Sequence, residues 1–220
     1  MITKSHRKQA EQIILNRLGE CVRLYGFAQK PSGQSFYFVF DRGKWAFHIS
    51  FIPHKDDFDL TADIAVRLNA VEEIMNEYDT KITQREKLKN MTIGAEIGNI
   101  ASGRPIRWTI SDLEEIQVVC DGVSKSFETV GYSFLRTHSD LESVHRVLVG
   151  TSPSDTILAP LKGPRYMRAI ASAVLLRVPG RNIRELVEEF EAKLAEDDDL
   201  YLADFRALCQ GLYSQESYKV

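Results

Sequence analysis

Apolar residues at three- and four-residue intervals open the chain. Ala10, Ile13, Ile14, Leu18, Cys21, Val22 and Tyr25 fall on one face of a helix predicted over residues 5–25, with Gly26 placed to cap it. The period then changes to two. Phe36, Phe38 and Phe40 alternate along one run, Trp45, Phe47, Ile49 and Phe51 along the next, and Leu60, Ala62, Ile64 and Val66 along a third. Turn chemistry at Asp41-Arg42-Gly43-Lys44 and a loop over 53–57 join these runs, which predicts three strands in an antiparallel meander. A short strand near 27–29 is expected ahead of them. Helical spacing returns over 68–79, where Leu68, Val71, Ile74, Met75 and Tyr78 share a face. The charged stretch 81–90 reads as a helix extension or linker, and 92–100 and 105–110 as two further strands.

From residue 111 the pattern is helical almost to the end. Ser111 with Glu114, and Ser139 with Glu142, have the spacing of capping boxes. The helices they begin are predicted to stop at Gly131 and Gly150. A Ser-, Gly- and Pro-containing loop follows over 151–164. Further helices are expected over 165–178, 182–196 and 202–212. Strands first and helices afterwards define an α+β fold: an N-terminal helix, an antiparallel sheet with helices on one face, then an all-helical region. The expected division is 1–110 and 111–220, two parts that can share one core.

Composition narrows the class. The 220 residues are 44% hydrophobic and 27% charged, enough to bury a core without disulfide or metal support. No apolar run reaches the ~20 residues of a membrane-spanning helix, and the polar N-terminal stretch does not read as a signal peptide. Cys21, Cys120 and Cys209 are odd in number and far apart, the pattern of reduced thiols in a cytoplasm. Residues 1–110 hold 16 basic and 13 acidic side chains, and 111–220 hold 12 and 18. Neither half is a basic stripe, which argues against nucleic acid as a partner. Glycine-rich nucleotide loops and hydrolase serine motifs are absent, Gly163-Pro164-Arg165 reads as a plain turn, and nothing calls for a cofactor.

Two groups of residues carry candidate chemistry. His48, His54, Asp56 and Asp57, with Lys55 and Asp59 among them, combine imidazole and carboxylate groups that suit a metal ion or acid–base work. They support one reading, a metal-dependent enzyme or metal-binding protein. The second group comes from strand alternation. If the aromatic face of the meander is covered by helices, the other face carries Tyr37, Val39, His48, Ser50, Thr61, Asp63 and Arg67. Tyr37, His48, Ser50, Thr61, Asp63 and Arg67 are then candidate binding residues on an open surface, and truncating Tyr37, His48 or Arg67 is expected to spare stability. The acidic run of Glu188, Glu189, Glu191, Glu196, Asp197, Asp198 and Asp199 is either a solvated helix face or a surface for a basic partner.

Gly26-Phe27, Gly33-Gln34-Ser35-Phe36-Tyr37, Ile49-Ser50-Phe51, Leu60-Thr61-Ala62-Asp63-Ile64-Ala65-Val66, Ile97-Gly98 and Trp108-Thr109-Ile110 occur in this order. In that order the chain resembles a bacterial family of uncharacterised proteins, domain of unknown function 4304, mainly over its first half. It departs from the family at Ile52-Pro53-His54-Lys55, Asp63 and Ala65. The resemblance implies a small cytoplasmic bacterial protein of the immunity-like or phage-defence-related kind. The sequence reading is thus a non-enzymatic cytoplasmic factor whose partner is another protein.

Overall fold

The computed structural model describes residues 4–214. In chain order the elements are α1 (Lys4–Arg23), β1 (Ser35–Phe40), β2 (Gly43–Pro53), β3 (Phe58–Leu68), α2 (Asn69–Tyr78), α3 (Gln84–Lys87), β4 (Ile93–Glu96), α4 (Ile97–Ser102) and β5 (Trp108–Ile110). Helices α5 (Ile116–Ser126), α6 (Tyr132–Thr137), α7 (Leu141–Val149), α8 (Pro153–Leu158), α9 (Lys162–Leu175), α10 (Gly180–Glu196) and α11 (Leu202–Ser214) follow. The fold is α+β. The sheet order is β1-β2-β3-β4, with β5 also paired to β3. No helix among the described residues is long and apolar enough to cross a membrane.

The chain divides into two compact units that do not follow the expected boundary at 110. The first comprises Met1–Val66 and Gly94–Thr137, and the second Arg67–Ile93 and His138–Val220. The 67–93 segment leaves the sheet strands and belongs with the C-terminal helices.

In the first unit the aromatic face of the sheet is buried as its alternation requires. Phe36, Phe47, Ile49, Leu60, Ala62, Ile64 and Val66 have no exposed surface, while Phe38, Phe40 and Phe51 are half-buried. Helix α1 contributes Ile14, Leu18 and Val22, and α5, which packs on α1, contributes Val119 and Val123. Phe47 meets Phe127 with ring centroids 5.0 Å apart. Gly26 ends the α1 turn at φ 88°, a left-handed conformation that glycine adopts without steric cost. The helix that begins near 111 does not stop at Gly131. A wide π turn over Phe127–Gly131 carries it into α6. A Cβ at Gly131 would stand 3.0–3.2 Å from Ile64 and Ile97, so the glycine is there for close packing against the sheet. The strand expected over 92–100 is cut short at Glu96. Its carboxylate accepts the Gly98 and Asn99 amides and starts α4. No strand forms over 27–29, where a single Ala28 N–H donates to Tyr37 O.

The second unit is organised on α9. Its Gly163–Met167 and Ala169–Val174 are buried, and α2, α7, α10 and α11 pack around it. Gly163-Pro164-Arg165, expected as a turn, lies in the first turn of this helix. Arg165 donates to the carbonyls of Val147, Leu148 and Gly150, satisfying the open end of α7. Tyr166 stacks on Phe190 with centroids 4.1 Å apart. Beside α9, the buried Glu72 of α2 accepts two bonds from Arg168, at 2.7 and 3.1 Å.

Candidate functional site on the polar face of the sheet

Strand parity assembles a row of polar side chains opposite the aromatic face. Ser35 of β1 is the register partner of His48 on β2. The neighbouring Ile49 N–H donates to Gln34 O. Ser35 and His48 are therefore a non-hydrogen-bonded pair, the kind in which side chains stand closest. Ser35 Oγ and His48 Nδ1 lie 2.8 Å apart. On the other side of β2, His54 N–H donates to Asp57 O and closes the β2–β3 hairpin. That register, carried back along the hairpin, sets Asp63 opposite His48, in the wider hydrogen-bonded type of pair. His48 thus stands between a hydroxyl and a carboxyl.

Asp63 is half-buried, and burial holds its carboxyl above the usual range. Glu96 pushes the same way, while His48 and Arg107 act against it. A carboxyl raised in this manner favours the folded state only while protonated. That contribution is present below the ordinary value of 3.8 and is lost as pH rises through the folded value. Asp63→Asn is accordingly expected to raise the thermal midpoint at pH 7, with the gain shrinking toward pH 3. Melting curves across that range check it, and a gain that grows on acidification would refute it.

The other expected face residues divide. Tyr37 and Ser50 are half-buried, Val39 is 75% exposed, and the Lys44 ammonium sits 5.1 Å from the centre of the Tyr37 ring. Thr61 and Arg67 are not on an open surface, since they are 5% and 8% exposed. Arg67 belongs to the second unit, where its guanidinium donates to Asn69 Oδ1, Lys87 O and Asn90 O. The expectation that Arg67 can be truncated without loss is therefore corrected. Arg67→Ala leaves those carbonyls without their charged donor and should cost about 1.5–3 kcal/mol, measured by urea unfolding.

The structure does not bring the histidines and aspartates of the hairpin into a metal set. His54 and Asp56 are exposed, and His54 Nε2 bonds to Asp59 Oδ2 at 3.1 Å. Asp59 is also held by Thr109 Oγ1 at 2.7 Å. The Thr109 bond and then His54 keep its carboxyl below the usual range. His48 is engaged with Ser35 instead. Among the described residues, no three His, Cys, Asp or Glu side chains converge so that they could hold a metal ion. Burial pushes the Cys120 thiol up to about 11 and the Cys209 thiol to about 12, so neither of these two supplies a ready nucleophile. In the acidic run, Glu189, Glu191 and Asp197 are paired with Lys193, Arg206 and Lys162.

Ser35, Glu96 and Arg107 were not among the candidates read from the sequence. Their separation in the chain is fixed by two hairpin registers and one helix start, none of which leaves a motif. Loop lengths held the signal, because a two-residue turn at Asp41-Arg42 and the 54–57 closure determine which residues face each other.

No family model, no curated protein and no solved structure matches the chain.

Proposed function

We propose that this is a cytoplasmic protein-binding factor and that the polar face of the first unit's sheet is its recognition surface. The observation that carries this reading is the mixture on that face. Tyr37 braced by Lys44, the exposed Val39, His48, Ser50 and the raised carboxyl of Asp63 combine aromatic, apolar and hydrogen-bonding groups on a rigid sheet. A carboxyl kept half-buried at a cost to folding is a feature that recognition sites share more often than passive surfaces. The cytoplasmic setting is supported by three cysteines that form no disulfide. The narrower reading, an immunity-like or phage-defence-related factor, draws its support from the family resemblance.

The test is affinity capture from a bacterial lysate with the wild-type chain, Tyr37→Ala and Ser50→Arg in parallel. A specific protein retained by the wild type and lost by both variants, at unchanged thermal midpoints, is the expected result. An identical set retained by all three, or no retained protein, would reject the surface.

A further inference from the structure

We propose that Ser35 is an activated nucleophile, with His48 as its general base and Asp63 as a positioning residue, able to take an acyl group from an ester. This goes beyond the binding reading and does not depend on it.

Three observations converge. First, the hydroxyl and the imidazole are in hydrogen-bond contact, 2.8 Å from Ser35 Oγ to His48 Nδ1, within the reach that general-base catalysis needs. Second, the three residues lie on one face of three adjacent strands, Ser35 on β1, His48 on β2 and Asp63 on β3, so the base stands between nucleophile and carboxylate. A negative charge on the β3 side favours the tautomer with its proton on Nε2. That leaves Nδ1 to accept from the serine and stabilises the imidazolium that forms. Third, Ser35 closes the turn Ser32–Ser35, in which Ser35 N–H donates to Ser32 O and Ser32 N–H to Ser35 O. Space around Gly33, inside this turn, is open. A turn with open space beside a nucleophile can offer its backbone N–H to an acyl-transfer oxyanion.

The chemistry balances without a further reagent. Ser35 Oγ attacks the ester carbonyl carbon while its proton passes to His48 Nδ1. The tetrahedral oxyanion then collapses, the bond to the leaving oxygen breaks, and His48 returns the proton to it. Water repeats the sequence on the acyl-serine, releasing a carboxylic acid and restoring Ser35.

The second unit provides an internal control. His145 Nδ1 and Ser172 Oγ are also 2.8 Å apart, but Ser172 has no exposed surface and donates to Ala169 O. The same contact distance is thus present once at a half-buried sheet edge and once inside a core.

The experiment treats the full chain with a fluorophosphonate probe at pH 8 and locates the adduct by peptide mass spectrometry. One adduct per chain is expected, on Ser35 and not on Ser172. The rate should fall by about 10²-fold in His48→Gln, and Ser35→Ala should remove the adduct with its thermal midpoint retained. Asp63→Asn is expected to slow labelling and displace its pH profile, a readout that a purely structural role would leave in place. p-Nitrophenyl acetate should release a burst of nitrophenolate in the wild type that Ser35→Ala lacks. No adduct on Ser35, or labelling of equal rate in His48→Gln, would overturn the proposal.

Discussion

Replacing Arg168 with alanine is expected to destabilise the second unit by about 3–5 kcal/mol, among the largest effects available to a single side chain in this protein. The Glu72 side chain has no exposed surface and the Arg168 side chain only 12%, and the guanidinium meets the carboxylate through Nε and Nη2. Two parallel charge-assisted bonds in this geometry fix both position and orientation. Removing the arginine leaves a buried carboxylate without its hydrogen-bond donor, offset only by the charge of nearby Arg67, and that desolvation is the source of the loss. The pair itself is a different quantity. Replacing both members by apolar residues of similar volume, Glu72→Leu with Arg168→Met, should restore most of the stability, because an intact buried pair roughly offsets its own desolvation. Urea midpoints for Arg168→Ala and the double variant decide the matter. A double variant as unstable as Arg168→Ala would show that the pair does more than cancel its own burial.

Trp45→Ala is expected to cost about 3–5 kcal/mol in the first unit. Trp45 is 8% exposed and touches aromatic rings on several sides, with Phe38 at 4.7 Å, Phe40 at 5.9 Å, Tyr132 at 6.1 Å and Phe27 at 6.2 Å between centroids. Four neighbours contributed by β1, α6 and the turn after α1 cannot all move in to fill the void, so the cavity persists and its cost adds to lost transfer energy. Trp45→Phe keeps most of these contacts and should recover most of the loss. Thermal or denaturant unfolding checks the pair, and a small effect for the alanine variant would mean that the cluster collapses freely.

Where a pattern depended on neighbours in sequence, the fold was legible before the structure. Alternation marked the buried face of β1, β2 and β3, and three- and four-residue spacing marked α1, α2, α5 and α7. Errors gathered where local signals compete. Both helix starts sit one residue beyond the expected Ser111 and Ser139: Asp112 forms a capping box with Glu115, and Asp140 caps its helix by accepting from the Ser143 N–H. The loop over 151–164 hides α8, whose Ser152 cap, Pro153 and Asp155 are a regular helix start that the Ser–Pro composition obscured. The π turn at 127–131 answers to packing against Ile64 and Ile97, contacts from distant parts of the chain. The polar row was half legible. His48 and Asp63 followed from parity on single strands, whereas Ser35 needed the pairing between strands. Arg67 was misplaced because β3 crosses from one unit to the other at its last two residues, and parity carries no information about what lies beyond a strand's end.

The interleaving of the two units bears on the order in which the chain can fold as it is synthesised. Residues 67–93 leave the ribosome long before α9 and α11, the helices against which α2 packs. Until then Val71 and Met75, both buried in the finished protein, have no partners and must remain in water or on a chaperone. The sheet in turn waits for β4 and β5 to return after that excursion. A truncation between α2 and α9 therefore strands an apolar helix, and neither unit can be obtained by cutting the chain once.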